Sequence, residues 1–441
     1  MFGTSGIRGT VGSEVTAELA LSVGRALGSG SYDRVVVGRD VRDSGAMLVD
    51  ALSAGLRECG ADVIDVGTAS TPTIARSVGW RDADAGVAVT ASHNPPADNG
   101  LKLLAPSGQA FDAPRRDEIT RRIEEEVYDL SAAAGVGAER RWDAAHDRHV
   151  AAVRDACDRV DGLQVVVDLG NGAGSVTPDA LRELGADVTT LNAQPDGTFP
   201  GRPSEPTAET CADLCRFVAA TAADLGIAHD GDADRMMAVD EHGDFVPGDH
   251  LLALFARAAA DDGATVCAPL NTSLAVDDAL DDFGASVSRT KVGDVFVAER
   301  IVSEGAVFGG EPSGAWIWPD ETRCPDGPLA ACRLAALVHD AGSLAGLLES
   351  VGGYVTRRAN RVCEDNDRVV REVKRRAESV FDDVDDTDGV RVTVDDGWFL
   401  VRASGTQPLV RLTAEARSAE RADELLDRAD DLVTASGVSE T

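Results

Sequence analysis

Apolar strand patterns and helical patterns alternate along most of the chain. Short, mainly β-branched runs at 34–38, 164–168 and 264–268 are each followed by a segment of helical periodicity, a glycine and a second apolar run. The helical segment ends with the string Leu-x-x-x-Gly-Ala-x-Val in all three copies, which begin at Leu56, Leu181 and Leu280. Strand, helix, glycine cap and strand form a βαβ unit. The repeat therefore predicts three related α/β domains in tandem.

The last segment breaks this pattern. Residues 390–394, a turn at 395–397 and residues 398–402 predict a β-hairpin, and a strand at 409–414 and a charged helix over 419–433 would complete a smaller α+β domain. The Asp-rich stretch 382–388 is expected to be a solvated loop. The predicted domains cover residues 1–152, 153–246, 247–355 and 356–441.

Composition adds a picture of the surface. The 441 residues include 76 acidic and 42 basic side chains, which gives a formal net charge of −34, and only three of the cations are lysines. Such a dispersed acidic surface repels nucleic acids and anionic membranes. It suits a salt-rich cytoplasm, such as that of a haloarchaeon, where screening weakens self-repulsion. An ordinary acidic enzyme is the alternative.

The eight cysteines and the N-terminus indicate a reducing compartment. Cys211 and Cys215 are the only close pair, and no second pair or histidine completes a zinc site, so we expect buried or free thiols. No secretory pattern opens the chain and no apolar run reaches membrane-spanning length. The sequence predicts a soluble, cytoplasmic protein.

An aspartate cluster offers metal chemistry. Asp230, Asp232 and Asp234 alternate along the chain, and Arg235 follows them. With Glu241 the spacing resembles a calcium loop, but Arg235 stands where an EF-hand needs glycine and the flanks look like strands. A solvated acidic loop is the other alternative. We interpret the cluster as a site for one small hard cation, with Arg235 beside a phosphoryl group.

A serine is presented at the end of a predicted strand. Ser92 follows the run 87–91 and precedes His93-Asn94-Pro95, so its hydroxyl could cap a turn or act as a nucleophile. Lys102 lies on the same loop. Because lysine is rare in this chain, Lys102 and Lys291 suggest positions that need a compact amine near a phosphate or for proton transfer.

Three further loops suit a ligand. Residues 2–10 are rich in glycine and hydroxyls and contain Arg8, which suits anion binding by backbone amides. The loop 309–314 offers Glu311 and Ser313 to adjacent sugar hydroxyls. Residues 402–411 place a Ser-Gly-Thr turn between two arginines, as in a phosphate clamp.

Taken in order, these five motifs resemble the signature loops of the α-D-phosphohexomutase superfamily, and the resemblance covers essentially the whole chain. It implies four domains around a central cleft and a mutase that acts through a phosphoserine, a bisphosphorylated sugar and one Mg²⁺. It also implies a phosphosugar as substrate and a sugar bisphosphate as activator. We expect a monomer or homodimer.

The resemblance assigns roles to residues. Ser92 would carry the phosphoryl group, and it would bind Mg²⁺ together with Asp230, Asp232 and Asp234. Glu311 and Ser313 would contact sugar hydroxyls. The transfer end would be lined by Arg8, His93, Lys102, Arg235 and Lys291, with Lys102 the best candidate acid/base. The distal phosphate would be held by Arg402, Ser404, Gly405, Thr406 and Arg411.

Two positions depart from the family pattern. The sugar loop usually continues to a histidine where this chain has Ala315, and the phosphate loop usually has an acidic residue where Gln407 stands. Neither change removes the nucleophile or the metal ligands. Glucosamine phosphate is the favoured substrate because the chain is compact and opens with Phe-Gly-Thr-Ser-Gly-Ile-Arg-Gly. Phosphomannomutase or phosphoglucomutase activity, a non-catalytic sugar-phosphate sensor and a phosphatase are the alternatives.

Overall fold

The first domain is built on a mixed sheet. The structure, a computed structural model, describes residue 3 and residues 6–363, 365–404 and 408–437. The first sheet has the order β1-β5-β4-β2-β3-β6, in which β5 runs antiparallel to both of its neighbours, β1 and β4, and the remaining pairs are parallel. Its strands are β1 (Ile7–Thr10), β2 (Arg34–Arg39), β3 (Asp62–Thr68), β4 (Ala85–Val89), β5 (Asp98–Leu104) and β6 (Glu139–Arg141). Its helices are α1 (Ala17–Gly28), α2 (Gly45–Glu58), α3 (Thr71–Trp80) and α4 (Ala113–Glu124).

Close helix packing explains two glycines of this domain. A Cβ at Gly24 would lie 2.2 Å from the carbonyl oxygen of Leu52, and one at Gly55 would lie 2.2 Å from that of Leu21. Any side chain at either position would therefore push α1 away from α2 and open the core that the two helices share with the sheet.

The second and third domains repeat the βαβ pattern. Their sheets have the orders β10-β9-β7-β8 and β12-β11-β13-β14. The second contains α5 (Ala145–Asp155), β7 (Gln164–Asp168), α6 (Val176–Leu184), β8 (Asp187–Leu191), α7 (Ala212–Ala220), β9 (Leu225–His229) and β10 (Met236–Val239). The third contains α8 (Gly248–Ala259), β11 (Thr265–Pro269), α9 (Ala275–Leu280), β12 (Ser286–Thr290), α10 (Asp294–Glu304), β13 (Phe308–Glu311), β14 (Ala315–Ile317), α11 (Gly327–Ala341) and α12 (Leu344–Leu348).

The repeat read from the sequence is confirmed. In each copy the two strands are parallel neighbours, β2 with β3, β7 with β8 and β11 with β12. The glycine after each helix, Gly60, Gly185 or Gly284, has a positive φ of 98°, 104° or 57°. That conformation favours glycine, which explains why the string at the helix exit recurs.

The fourth domain is the predicted α+β unit. Its sheet order is β15-β19-β18-β17-β16. Its elements are β15 (Val355–Val362), α13 (Asn366–Ala377), β16 (Val384–Asp385), β17 (Val390–Val394), β18 (Gly397–Ala403), β19 (Leu409–Ala416) and α14 (Ala419–Ala435). The predicted hairpin is β17 and β18. The fold class is thus confirmed. The exact domain boundaries stay predictions, and the one at 152/153 falls inside α5.

Core packing joins the second and third domains more closely than the rest. One hydrophobic cluster runs from Val165 and Leu181 in the second domain to Phe308 and Trp316 in the third. Separate clusters fill the first and fourth domains. All eight cysteines are free, as expected. Among the described residues, no helix combines the length and apolar character needed to cross a membrane.

A buried polar junction fastens the first domain to the third. The Asp326 carboxylate, at the N-terminus of α11, accepts hydrogen bonds from Arg76 of α3 at 2.7 Å and from the ring of His149 of α5 at 3.1 Å. All three side chains are at most 5% exposed. Burial alone would raise the pKa of Asp326, but His149 and Arg76 outweigh it and hold that pKa well below its usual value.

Replacing Asp326 with asparagine should destabilise the protein strongly, because it removes the buried carboxylate that contacts Arg76 at 2.7 Å and leaves the partly exposed Glu321, at 3.6 Å, as the remaining counter-charge. We expect a loss of about 3 kcal/mol or more in the free energy of unfolding, measured by denaturant titration at neutral pH. Glu304→Gln, which removes one partner of the surface pair Arg300–Glu304, is the matched control and should cost under about 1 kcal/mol. Equal losses in the two variants would contradict the proposed importance of the junction.

Candidate functional site

A cavity of about 710 Å³ lies where the four domains meet. The first domain contributes the loop between β4 and β5 that carries Ser92, here called the serine loop. The second contributes residues 230–235, the aspartate loop. The third contributes the sugar loop, 309–314, and the fourth contributes the region of the phosphate clamp. Of the described residues singled out from the sequence, those lining the cavity are Arg8, Ser92, His93, Lys102, Asp234, Arg235, Lys291, Glu311, Ser313, Arg402, Ser404 and Arg411. Gly405, Thr406 and Gln407 lie outside the described residues.

Ser92 sits in a strained turn after β4. Its φ is +51°, a conformation that costs energy for any residue but glycine, and it is 1% exposed. The Ser92 hydroxyl donates a hydrogen bond of 2.5 Å to Oδ2 of Asp230 and lies 3.3 Å from Nδ1 of His93. The nucleophile candidate therefore faces the aspartate loop of the second domain rather than capping a helix.

The aspartate loop connects antiparallel strands, β9 and β10, so the EF-hand alternative is excluded. Asp230, Asp232 and Asp234 are each at most 5% exposed, and one oxygen from each lies within 4.8 Å of the other two. A solvated loop is thereby excluded as well. Thr71 of α3 donates to Oδ2 of Asp232 at 2.6 Å.

The donor set fits a hard divalent cation. Oδ1 of Asp232 is buried and has no hydrogen-bond partner. Burial, together with the charges of Asp232 and Asp234, raises the pKa of Asp230 well above its usual value, as expected when like charges share a dry site. A bound cation would satisfy the orphaned oxygen and relieve this repulsion. Mg²⁺ prefers such carboxylate ligands.

Lys102 bridges the first and third domains. Its ammonium lies 3.0 Å from Oδ2 of Asp294 and 3.3 Å from Oδ2 of Asp234, and the side chain is 3% exposed. Burial alone would lower the pKa of Lys102, but Asp294 and Asp234 reverse the effect and hold it well above its usual value. The amine therefore stays protonated, and its two ion pairs favour the role of a fixed positive charge over that of a base.

The other side chains at this end are cationic or neutral. Burial, followed by the charges of Arg235 and Arg8, lowers the pKa of His93 to about 3, so its ring is neutral at physiological pH. The Arg8 side chain reaches the cavity with Nε buried and unpartnered. Among the described residues, the Arg235 guanidinium has one ion-pair partner, Glu205, at 3.7 Å. Both arginines are thus available to an anion.

The sugar loop is the turn between β13 and β14. Oε1 of Glu311 accepts a hydrogen bond of 2.7 Å from the Gly293 amide, and Ser313 lies 3.5 Å from Oε2. Burial, followed by the charge of Asp294, raises the pKa of Glu311 to about 7. Ala315, where the family usually has histidine, is 4% exposed and pairs through its backbone with Arg235. The sugar loop is therefore tied to the aspartate loop.

The clamp region of the fourth domain contacts the third. Arg402 donates to Oδ2 of Asp388 at 3.0 Å, and the same oxygen accepts from the Val292 amide, also at 3.0 Å. The hydroxyl of Ser404 is buried and has no partner. The prediction that 382–388 is only a solvated loop is wrong at Asp388, because its carboxylate accepts hydrogen bonds from Arg402 and from the Val292 amide, next to Lys291.

Sequence analysis missed several cavity residues. Asp294 and Asp388 are ion-pair partners of Lys102 and Arg402, and Asn271, which follows β11, has a buried, unpartnered Oδ1. Asp294 could have been found, because it lies three residues after Lys291. Nothing in the local sequence distinguishes Asn271 or Asp388 from other loop residues of this acidic chain.

Comparison with known proteins bears on the family. Models of the phosphoglucomutase/phosphomannomutase family match domain I at residues 1–129, domain II at 146–243, domain III at 247–354 and the C-terminal domain at 359–432. The chain is 45% identical over 450 residues to a probable phosphoglucosamine mutase of Methanopyrus kandleri, covering 98% of this chain and 97% of the relative. It is 46% identical over 448 residues to another from Methanosarcina acetivorans, covering 98% of each.

A solved structure supports the same conclusion. The phosphoglucomutase/phosphomannomutase family protein of Burkholderia thailandensis superposes with a TM-score of 0.90 at 29% identity, covering 100% of this chain and 99% of the other. Sequence, domain order and fold agree along the full length. The chain belongs to the phosphoglucomutase/phosphomannomutase family, within the α-D-phosphohexomutase superfamily.

Proposed function

We propose that this protein is a phosphohexose mutase, an isomerase that interconverts hexose 6-phosphate and hexose 1-phosphate through a phosphoserine at Ser92. The observation that carries the proposal is that the Ser92 hydroxyl, in the wall of the four-domain cavity, contacts Asp230 of the aspartate loop. A hydroxyl placed between a cation site and a cavity lined with arginines is suited to accept and return a phosphoryl group.

Phosphoryl transfer needs two balanced exchanges. In the first, the free sugar hydroxyl attacks the phosphoserine, the sugar O–P bond forms, the bond from Ser92 Oγ to phosphorus breaks, and a proton moves from the sugar hydroxyl to the serine. The bisphosphorylated sugar then turns over in the cavity. In the second exchange its other phosphate returns a phosphoryl group to Ser92, which gives up its proton to the new sugar hydroxyl.

The chain's own residues would position these steps. Asp230, Asp232 and Asp234, with the phosphorylated Ser92, would hold Mg²⁺, whose charge stabilises the transferring oxygens. We assign Lys102 as the candidate acid/base because it is an amine in the lining of the cavity, where its two carboxylate partners keep it charged. The fixed charges at the transfer end come from Arg8, Arg235 and Lys291, beside a neutral His93.

Sugar and phosphate recognition would occupy the opposite walls. Glu311 and Ser313 would form hydrogen bonds with sugar hydroxyls. The distal phosphate would be held by Arg402, Ser404 and Arg411, together with Gly405 and Thr406. Both orientations of a bisphosphorylated hexose place a phosphate at each end, so one clamp serves both half-reactions.

Glucosamine phosphate is the proposed substrate. Curated relatives at about 45% identity over nearly the full length are named as probable phosphoglucosamine mutases. Mannose and glucose phosphates are the alternatives, because the sugar loop does not separate them. We also propose a sugar bisphosphate as activator and a salt-rich cytoplasm as the setting, on the grounds of the mechanism and of the net charge of −34.

The nucleophile is testable by intact-protein mass. Incubation with hexose 1,6-bisphosphate and Mg²⁺ should add one phosphoryl group to the wild type and to the surface variant Ser303→Ala, but none to Ser92→Ala. Ser92→Ala should also lose mutase activity by about 10⁴-fold or more, because the covalent route is removed. Activity on the 6-phosphates of glucosamine, mannose and glucose should be highest with glucosamine.

Other outcomes would identify the alternatives. A wild type that is never phosphorylated would contradict the mutase and favour the sensor. Net release of inorganic phosphate would identify a phosphatase. A preference for mannose or glucose phosphate would overturn the substrate assignment only.

The cation site is testable by direct binding. Calorimetry should detect one Mg²⁺ per chain in the absence of sugar, and Asp232→Asn should weaken it by about 100-fold or more, because one of three charged ligands is lost. Asp213→Asn, at an exposed carboxylate of α7, is the control and should bind Mg²⁺ like the wild type. Chelation should abolish activity, and Mg²⁺ should restore it. Unchanged binding by Asp232→Asn would place the metal elsewhere.

The raised pKa of Glu311 predicts that this side chain, once ionised, lowers the stability of the folded protein although it serves sugar binding. Ionisation is penalised in the folded state, so this carboxylate destabilises the fold increasingly as pH rises from about 4.5 to about 7. Glu311→Gln should therefore be more stable than the wild type at pH 8, by up to about 3 kcal/mol, with little difference at pH 4 to 5. Sugar binding should weaken.

The measurement is thermal unfolding of the two proteins across this pH range without ligand. The exposed control Glu209→Gln should be as stable as the wild type at pH 8. A Glu311→Gln protein that is less stable than the wild type at pH 8 would mean that the ionised carboxylate stabilises the fold.

A further inference from the structure

Arg42, which has no part in the site described so far, is fully buried against the serine loop. Its guanidinium donates hydrogen bonds to four backbone carbonyl oxygens of this loop. The acceptors are Ser92 at 2.9 Å, Asn94 at 2.7 Å, Pro95 at 2.6 Å and Asp98 at 2.9 Å. One side chain therefore fixes the whole turn that presents the candidate nucleophile.

Asp40 connects Arg42 to the other side of Ser92. Oδ2 of Asp40 accepts from Nε of Arg42 at 3.0 Å and from the hydroxyl of Thr90 at 2.8 Å. The Thr90 hydroxyl in turn accepts from the Ser92 amide at 2.9 Å. Both the N–H and the C=O of Ser92 are thus linked to a single buried carboxylate, through Thr90 on one side and Arg42 on the other.

The backbone of Ser92 needs such a restraint. With a φ of +51° it occupies a region that disfavours every residue but glycine, so an unrestrained turn would relax. Relaxation would rotate the side chain and move Oγ of Ser92 away from Oδ2 of Asp230, which lies 2.5 Å from it. The hydrogen bonds from Arg42 and Thr90 oppose that movement.

The second domain completes the restraint. The hydroxyl of Ser204 donates to the Ser92 carbonyl oxygen at 2.9 Å, and the ring of Phe199 lies 5.0 Å from the Arg42 guanidinium. Gly231, inside the aspartate loop, allows this approach, because a Cβ there would lie 2.8 Å from the Ser92 carbonyl oxygen. The serine turn is therefore held from both domains that meet at the cation site.

We propose that Arg42 and Ser204 are positioning residues for phosphoryl transfer: they hold the Ser92 carbonyl from two domains and so aim its hydroxyl. This inference rests on the proposed mutase function. A purely structural role for Arg42 would lower stability without changing the transfer rate of the folded protein. The two roles therefore differ in a measurable way.

The test uses the full-length protein. Transfer from hexose 1,6-bisphosphate to dephosphorylated Ser92 is followed in a single turnover by intact mass, sugar 6-phosphate affinity by calorimetry, and stability by thermal unfolding. Arg42→Lys keeps the charge but cannot reach four carbonyls, so transfer should slow by about 100-fold while the dissociation constant stays within about threefold. Ser204→Ala, which leaves Arg42 in place, should slow transfer about fivefold.

Arg76→Lys is the matched control. Arg76 is also buried, but it is paired with Asp326 at the junction of the first and third domains. This variant should lose stability and yet keep a transfer rate within about twofold of the wild type.

The outcomes are distinguishable. If Arg42→Lys folds and transfers at the rate of Arg76→Lys, the inference is wrong. If Arg42→Lys does not fold, an unchanged transfer rate in Ser204→Ala would overturn the inference instead. A wild type that never accepts a phosphoryl group on Ser92 would instead refute the proposed function itself.

Discussion

The burial of three carboxylates beside one hydroxyl is the constraint on which the site depends. Like charges repel strongly in a dry environment, and here oxygens of Asp230, Asp232 and Asp234 lie within 4.8 Å of one another. Within the aspartate loop, Arg235 relieves part of this repulsion, and its amide donates a hydrogen bond to Asp230 at 3.2 Å. A hydroxyl of α3 and the ammonium of Lys102, both from the first domain, supply part of the compensation. The site is therefore complete only when the first two domains are docked.

The same dependence extends to the third and fourth domains. Asp294 of the third domain shares Lys102 with the aspartate loop, and Asp388 of the fourth joins Arg402 to the Val292 amide of the third. The most extensive apolar packing between domains joins the second and third, whereas smaller clusters, such as that of Val41 with Ala173 and Phe199, connect the first domain to its neighbours. Around the cavity, the domains contact one another through charged and hydrogen-bonded groups. Such contacts tolerate rearrangement better than a continuous core does.

Local patterns explain what the sequence could predict. A βαβ unit leaves its periodicity and its glycine cap within about 30 residues, so the three repeats and the final hairpin were recognisable. The serine and aspartate loops were recognisable because each keeps its chemistry in a few adjacent residues. By contrast, Asp294 contacts Lys102 across 192 residues and Arg42 reaches Pro95 across 53. An aspartate in an acidic loop, such as Asp388, gives no local sign of such a partner.

The charge of the cavity differs from that of the rest of the chain. Among the described residues that line it, six are cationic and five are acidic, whereas the whole chain has 76 acids and 42 cations. At low ionic strength, the surrounding negative field would oppose the approach of a phosphosugar. In molar salt the Debye length falls to about 3 Å, so this long-range repulsion disappears, while hydrogen-bonded ion pairs inside the cavity are screened much less. In such a medium, recognition of a phosphosugar would therefore depend on direct contact with the arginines of the cavity rather than on long-range attraction.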